Sequence, residues 1–256
     1  MTARIVLRTA QLHMREVRSS PSLAIIGLVQ PAAIQTIVLS GGGHADPLRT
    51  TALVTGTSLL SLWSATIWSS GMLLRREIRF GTLSSLLARP TDLRLIVAGK
   101  ALGAGATALA LSMAVSAVVP AALGHRLHFT HPVLLLPAAV FALVSATAVG
   151  TLLAGLFIAS RSAGRIAEAL LFPVFLLSGA LLPLTVLPGW LRWPSALLDL
   201  RWLREFALAA AGAPHSPLLT AAAVLAVCVA AQFAAGHAVF GRLLGRAVKE
   251  GSLDLH

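Results

Sequence analysis

The chain has 256 residues, of which 57% are hydrophobic and only 11% are charged. A soluble domain of average composition carries about 25% charged residues, so an ordinary soluble protein is excluded and a membrane protein with several spans is indicated. The net charge of +11 fits basic residues that flank membrane spans, and neither an aromatic-basic patch nor a zinc-finger spacing suggests a nucleic-acid partner. We therefore predict one all-α integral membrane domain over residues 1–256.

Residues 1–19 are predicted to form an amphipathic helix on the membrane surface. Polar, mostly basic, and apolar positions recur side by side at helical spacing. The polar positions are Arg4, Arg8, Gln11, Arg15 and Arg18, and the apolar positions are Ala3, Leu7, Ala10, Met14 and Val17. A basic amphipathic helix of this kind lies in the lipid headgroup layer. An unstructured basic leader is the alternative interpretation, and we expect no removed signal peptide.

Six apolar runs follow, and a membrane-spanning helix needs about 20 such residues. The runs cover residues 21–40, 51–74, 95–123, 133–159, 166–186 and 216–240. If both termini are cytoplasmic, 15 of the 20 Lys and Arg residues fall on inner segments and 5 on outer segments. Because cytoplasmic loops carry the excess of positive charge, we predict six transmembrane helices with both termini in the cytoplasm.

Residues 75–94, RREIRFGTLSSLLARPTDLR, lie between the second and third spans and carry seven charged residues. An Arg or Asp at the bilayer centre costs about 2.5–3.5 kcal/mol and a Leu contributes only about 0.3–0.6 kcal/mol, so this segment must lie outside the lipid. Thr82 is a suitable N-cap and Pro90 ends the helix that follows. The sequence predicts a short cytoplasmic helix with three exposed leucines on one face, Leu83, Leu86 and Leu87. Two interpretations stay open: these leucines contact lipid, or they dock on a cytosolic partner.

Residues 184–212 are too charged to span the membrane and too apolar for a water-exposed loop. We predict short helices that re-enter the outer leaflet, with the tryptophans at headgroup depth, and a solvated loop is the alternative. The residues that mark this outer re-entrant segment are Pro188, Trp190 and Glu205.

The sequence offers little support for an intramembrane enzyme. Neither a His-Glu-x-x-His nor a Gly-x-Ser-x-Gly motif is present. His125, His128 and His131 are spaced three residues apart, which could place them on one side of a turn. Because cysteine and carboxylate ligands are missing nearby, we predict no metal site there.

Polar residues within the spans are few. Glu168 and Glu205 are interpreted as the only acids near the spans, and both lie close to a span boundary. Proton-coupled carriers usually need ionisable groups at mid-membrane depth, so this class is disfavoured. Gln30 and Gln35 lie inside the first span, where such residues commonly hydrogen-bond a neighbouring helix. They are also candidates for a substrate pathway.

Two blocks resemble the membrane subunit of type-2 ATP-binding-cassette exporters. The first, residues 76–100, resembles the family's Gly-Thr-Leu, Leu-Leu, Pro and Gly-Lys run after the second span, and the second, residues 172–193, is similar to its Phe-Pro, Ser-Gly, Pro and Leu-Pro-Gly-Trp block. The matching positions are Glu77, Gly81, Thr82, Leu83, Leu86, Leu87, Pro90, Gly99 and Lys100, then Phe172, Pro173, Ser178, Gly179, Pro183, Leu187, Pro188, Gly189 and Trp190. The chain departs from the family's usual acidic residue at Ser84, its proline near Asp199 and its arginine near Leu208.

The resemblance implies that residues 75–94 form a coupling helix in a cleft of a cytosolic nucleotide-binding ATPase subunit. The implied contact residues are Glu77, Arg79, Gly81, Thr82, Leu83, Leu86, Leu87, Arg89 and Pro90. The resemblance also implies a second permease, identical or related, in a bacterial cytoplasmic membrane. The chain lacks a Gly-x-x-x-x-Gly-Lys-Ser/Thr run, so we expect it to bind no cofactor and to catalyse no reaction, while Mg-ATP is used by the partner subunit.

The substrate pathway would lie near the interface of the two permeases. Its candidate residues are Gln30, Gln35, Phe172, Ser178 and Gly179. The chain has no tyrosine and nine phenylalanines, which disfavours a channel that stacks sugars. We expect a hydrophobic drug, natural product or lipid as substrate, as in multidrug efflux. A polysaccharide or glycolipid exporter of the same family, a proton-coupled carrier and an intramembrane enzyme are the alternatives.

Overall fold

The computed structural model describes most of the chain, in eight ranges. They are residues 2–18, 25–41, 46–87, 91–158, 160, 162–180, 187–213 and 218–250. Across these ranges every regular element is helical, as predicted. Arg89, Pro90 and Pro183 lie outside the described residues, as do the side chains of Leu87 and Ser84.

The helices are numbered in chain order. They are α1 (Thr2–Arg18), α2 (Gln30–Ser40), α3 (Pro47–Ala65), α4 (Leu73–Arg79), α5 (Leu83–Leu87), α6 (Leu93–Ala122), α7 (Leu135–Ile158), α8 (Ala163–Leu177), α9 (Gly189–Ala196), α10 (Asp199–Ala210) and α11 (Leu218–Glu250). Wider π-helical turns precede α2 and follow α3, at Ile25–Val29 and Thr66–Gly71, and a 3₁₀ turn, Pro132–Leu134, leads into α7.

Three helical segments in the described part of the chain are long and apolar enough to cross a membrane. They are Leu93–Ala122, Pro132–Ile158 and Leu218–Arg242. They agree closely with the third and fourth predicted spans, and the sixth span continues beyond its predicted end at residue 240. Following the predicted topology, we call the end that holds α4 and α5 the inner end and the end that holds α9 and α10 the outer end.

Hydroxyl side chains along α3 are hydrogen-bonded within their own helix. Thr57 donates to Leu53 O at 2.9 Å, and Ser61 donates to Thr57 O at 2.8 Å. Bonding of this kind to the carbonyl one turn earlier satisfies the hydroxyl without water. A helix rich in Ser and Thr can therefore pass through an apolar environment.

Small residues let the helices approach closely. A Cβ on Gly150 of α7 would lie 2.6 Å from Ser70 Cβ, and a Cβ on Gly56 of α3 would lie 2.3 Å from Ala180 O. Helices that cross a membrane commonly pack through such small residues, because apolar side chains gain nothing by leaving lipid. Gly56 thus accommodates the backbone that follows α8.

The fifth predicted span, residues 166–186, is described only to residue 180, and its helix ends earlier than predicted. The helix α8 ends at Leu177, and Gly179 has a φ of 73°, in the left-handed region that favours glycine and ends helices. Ser195 Oγ of α9 donates to Leu177 O at 2.6 Å, so α9 satisfies a carbonyl at the end of α8. The helix α9 therefore packs against the end of α8.

Candidate functional site

The turn between α4 and α5 is the candidate site, and glycine shapes it. The amide of Thr82 donates to Glu77 O, and the amide of Gly81 donates to Ile78 O, each at 3.0 Å. This pair of bonds ends a helix with a glycine in the left-handed conformation, and Gly81 has a φ of 67°. The short helix α5 then begins after Thr82, where the sequence predicts it.

Leu83 and Leu86 of α5 face the protein, which corrects the prediction that these two leucines are exposed. Leu83 and Leu86 are 7% and 8% exposed, and they belong to an apolar cluster with Ile96 and Val97 of α6 and Phe240 of α11. Burying one leucine contributes about 1.5–3 kcal/mol. The inner ends of the spans offer that burial within the chain itself, so α5 is anchored to them.

The opposite face of the turn is exposed. Phe80 is 70% exposed, and Arg79, Gly81, Thr82 and Ser85 are exposed beside it. Phe80 was not among the predicted contact residues. A large aromatic residue next to a glycine, inside a segment too charged for lipid, is the signal that could have identified it. An exposed apolar side chain rimmed by polar residues is typical of a protein-binding surface.

Glu77 faces the spans, whereas a partner contact would require it to face outward. Its carboxylate lies 2.5 Å from Lys100 Nζ of α6, and it also accepts a hydrogen bond from the Thr82 hydroxyl. Partial burial acts to raise the pKa of Glu77, but the bonds from Lys100 and Thr82 outweigh it and hold the pKa below its ordinary value of 4.5. The ion pair thus fixes α4 to α6.

Two arginines of the same segment connect other helices. Arg75 Nε donates to Phe157 O at the end of α7, at 2.9 Å. Arg94 Nη1 lies 2.5 Å from His237 Nε2 of α11. Helix ends leave carbonyl groups without partners in the helix, and Arg75 satisfies one of them. The charged segment therefore holds the inner ends of α4, α6, α7 and α11 together.

The helix α1 forms as predicted, and it packs against α6 through a face that includes only part of the predicted apolar stripe. A Cβ on Gly103 would lie 2.5 Å from Ala10 O, and a Cβ on Gly99 would lie 2.7 Å from Val6 O. Leu7, part of the predicted apolar stripe, is exposed. The face that meets α6 therefore runs through Val6 and Ala10.

His13 of α1 is buried at this contact and 4% exposed. Its Nδ1 lies 3.0 Å from the Glu16 carboxylate, and its Nε2 has no hydrogen-bond partner among the described residues. Burial lowers the pKa of His13 below its ordinary value of 6.5, and the opposing effect of Glu16 is smaller. A neutral imidazole is thus favoured under α1.

The two glutamines of the first predicted span bind hydroxyl groups of neighbouring helices. Gln30 Nε2 donates to Ser64 Oγ at 3.2 Å. Gln35 Nε2 donates to Ser58 Oγ at 3.2 Å and to Ser116 Oγ at 3.0 Å, and the side chain is buried. Gln35 therefore joins α2, α3 and α6.

The other pathway candidates lie apart from these glutamines. Phe172 is 78% exposed on α8, while Ser178 and Gly179 are buried at the end of that helix. The structure therefore does not gather the five predicted pathway residues into one site within this chain.

The outer segment contains a buried acid that the sequence analysis did not identify. Asp199, the first residue of α10, is 2% exposed and accepts a hydrogen bond from Ser145 Oγ. Ser145 is the central residue of the candidate span Pro132–Ile158. Glu168 and Glu205 are therefore not the only acids near the spans. At the other end of α10, Ala210 O accepts from the His131 amide at 2.9 Å, so α10 runs from mid-span to the outer end.

The predicted short helices of the outer segment are present as α9 and α10. Pro188 directly precedes α9, and Trp190 is exposed on it. Glu205 is buried and pairs with Arg201 Nε at 3.3 Å. The Trp202 indole donates to Ala196 O at 2.8 Å, which fastens the two helices to each other.

One comparison with known proteins bears on these two regions. A family model described as ABC-2 type transporter (ABC2_membrane) matches residues 8–210. The match begins inside α1, ends with α10 and includes both the inner and the outer segment. No curated protein matches the chain.

Proposed function

The chain belongs to the ABC-2 type transporter family, and on that premise we propose that it is the permease subunit of an ATP-driven exporter. A separate cytosolic ATPase subunit would bind the turn between α4 and α5 and use Mg-ATP. Phosphate-binding glycine runs are missing from this sequence, which supports a division of labour between two polypeptides.

One observation carries this proposal: the turn has an exposed face and a buried face. Phe80 projects outward, while Leu83 and Leu86 lie in a cluster with α6 and α11. A partner that presses on Phe80 would therefore move the anchored leucines and, through Lys100, the helix α6. Interiors are close-packed, so such a displacement is transmitted and is not absorbed locally.

The proposed partner surface consists of exposed residues. They are Arg79, Phe80, Gly81, Thr82 and Ser85. Leu83, Leu86 and Glu77 would act behind this surface by anchoring it. Contacts by Leu87, Arg89 and Pro90 stay predictions from the family resemblance.

We further propose a second permease and a hydrophobic substrate. Exposed apolar side chains lie on α2 and α8, among them Ile37 and Phe172, and these faces suit a second permease or a hydrophobic molecule. Gln30 and Gln35 already have partners within the chain, which disfavours a sugar-binding channel at that depth. The substrate class would be a hydrophobic drug, natural product or lipid, exported across a bacterial cytoplasmic membrane.

The test is co-purification of an ATPase with the tagged chain from native membranes. We expect the wild type and the Phe80→Leu variant to retain the ATPase and Phe80→Glu to lose most of it, because a carboxylate cannot fill an apolar pocket without a large desolvation cost. Equal retention in all three samples would contradict the proposed surface. Transport by vesicles that depends on a proton gradient and not on ATP would favour the carrier alternative.

A further inference from the structure

A cavity of about 260 Å³ lies in the outer half of the bundle, between α3, α6, α7 and α10. Its wall consists largely of Ala, Leu and other apolar side chains. The lining residues used below are Ser58, Ser112, Met113, Ser116, Leu127 and Ala142.

The cavity offers few polar groups to a ligand. Ser58 donates to Val54 O at 2.6 Å, Ser112 to Ser58 O at 3.2 Å and Ser116 to Ser112 O at 2.7 Å. Each of these hydroxyl hydrogens is therefore already used inside the protein. A ligand that needs several hydrogen bonds would leave polar groups unpaired, which is costly in a buried site.

The size of the cavity narrows the class of ligand. Buried apolar cavities of about 150 Å³ stay dry and bind benzene, so this one can hold a larger apolar group. Pockets for drug-sized ligands occupy roughly 300–1,000 Å³, which is more than this cavity provides. Part of an extended hydrocarbon chain fits between these limits.

The cavity reaches the protein surface at Met113 of α6, which we call its mouth. Met113 lines the cavity and is 52% exposed, and Val118 and Val140 are exposed on the adjacent helix surfaces. In a membrane these surfaces meet lipid chains, so a chain can enter sideways. Leu127 lines the outer end, and the exposed Arg126 next to it can meet a phosphate group there.

We propose that this cavity binds part of one acyl chain of an outer-leaflet phospholipid, whose phosphate lies beside Arg126. The bound chain would fill the space between α3 and the pair α6–α7 and would stabilise the outer half of the bundle. The inference does not depend on which substrate the permease moves.

Photocrosslinking tests this inference directly. The full-length protein, in a mild detergent, is mixed with phosphatidylglycerol that carries a diazirine in one acyl chain, and crosslinked peptides are mapped after irradiation. We expect crosslinks at cavity residues that include Met113. The substitution Ala142→Phe fills the cavity and should reduce these crosslinks at least tenfold, whereas Val140→Phe, on the neighbouring exposed surface, should leave them unchanged. Equal labelling in both variants, spread over exposed residues, would identify ordinary surrounding lipid and overturn the proposal.

A milder variant guards against misfolding of Ala142→Phe. Met113→Trp changes an exposed residue at the mouth and should reduce lipid retained per chain, measured by native mass spectrometry, several-fold relative to wild type. Arg126→Gln should weaken retention of phosphatidylglycerol several-fold and leave retention of an uncharged diacylglycerol unchanged. Unchanged retention in Met113→Trp would overturn the site, and equal effects of Arg126→Gln on both lipids would overturn the phosphate contact.

Discussion

The inner segment α4–α5 and the outer segment α9–α10 both place charged residues between apolar helices, but they hold these residues differently. At the inner end, Glu77 and Lys100 form a partly exposed ion pair behind a turn that presents Phe80 to the surroundings. In the outer segment, Asp199 at mid-span and Glu205 nearer the outer end are both buried. A segment that presents an exposed aromatic side chain in front of its ion pair can pass a force from a partner to the spans, whereas a segment whose acids are buried among the helices resists displacement. The inner segment is thus suited to move and the outer segment to anchor.

Leu86→Glu is expected to have the largest effect, because it removes the buried face on which the inner segment rests. A carboxylate in the apolar cluster around Ile96 costs several kcal/mol unless it becomes protonated or leaves the cluster. The detergent-solubilised variant should therefore lose its cooperative thermal transition or melt far below wild type. The control Leu86→Met should cost less than about 1.5 kcal/mol. A stable Leu86→Glu protein would show that this leucine is not anchored in the core.

Ser145→Val tests the anchor at the outer end. Without the serine hydroxyl, the buried Asp199 carboxylate has no donor from α7, which should cost about 1–3 kcal/mol. The matched control is Thr147→Val on the same helix, because the Thr147 hydroxyl only donates to Leu143 O of its own helix. We expect the melting temperature to fall clearly further for Ser145→Val than for Thr147→Val. A similar fall in melting temperature for both variants would show that Asp199 does not anchor the outer segment.

Gly103→Ala tests whether α1 belongs to the inner assembly. The added Cβ would lie 2.5 Å from Ala10 O, so α1 must shift, at a cost of about 1–3 kcal/mol. Hydrogen exchange should increase across α1 and remain unchanged in α10. At Gly105 the nearest atom to such a Cβ is 3.4 Å away, so Gly105→Ala should leave α1 protected. Unchanged exchange in Gly103→Ala would mean that α1 is not held at this contact.

Exchanging the charges of Glu77 and Lys100 tests the ion pair of the inner segment, and we expect a smaller change in stability than for the preceding variants. Glu77→Lys or Lys100→Glu alone places like charges together, and the pair is partly exposed, so we expect a coupling free energy of about 0.5–1 kcal/mol. The double variant should recover most of the loss in a double-mutant cycle of thermal stability. If the stability losses of the two single variants simply add in the double variant, the two residues act independently.

The smallest expected effect comes from His13. It is a dependence of stability on pH that is limited to the inner end of the protein. Because burial lowers the pKa of His13 in the folded protein, its contribution to stability is fully present above the ordinary pKa of 6.5 and is lost as the pH falls below 6.5 and through the lowered pKa of the folded protein. The wild type should lose stability as the pH falls below 6.5, and the protection of α1 amides relative to their intrinsic exchange rates should decrease. His13→Gln should lose less stability over the same range. Equal slopes for both proteins would assign the pH dependence to other groups.

The sequence alone was sufficient to predict a structural element wherever a single physical property determines that element. Long apolar runs predicted α6 and α7 within a few residues, because few other structures can place so many apolar side chains in a row. The left-handed turn at Gly81 and the helix start after Thr82 depend on neighbouring residues alone, and the helix start was predicted.

Other features depend on contacts between distant parts of the chain. Helical periodicity places Leu83 and Leu86 on one face but does not say what that face meets. The early end of α8 depends on α9, whose Ser195 reaches Leu177 from further along the chain. Likewise, nothing near Asp199 in the sequence indicates that its partner is Ser145.

The bond between Asp199 and Ser145 also has a consequence for biogenesis. During synthesis α7 emerges first, and Ser145 is already within the span when the segment that contains α10 follows. An aspartate at mid-membrane depth costs about 2.5–3.5 kcal/mol before it meets its partner, so α10 cannot be inserted as an isolated segment. Its entry between the spans must wait until the neighbouring helices have assembled. Completion of the bundle would therefore take place from the outer side, as one of the last events in the maturation of this permease.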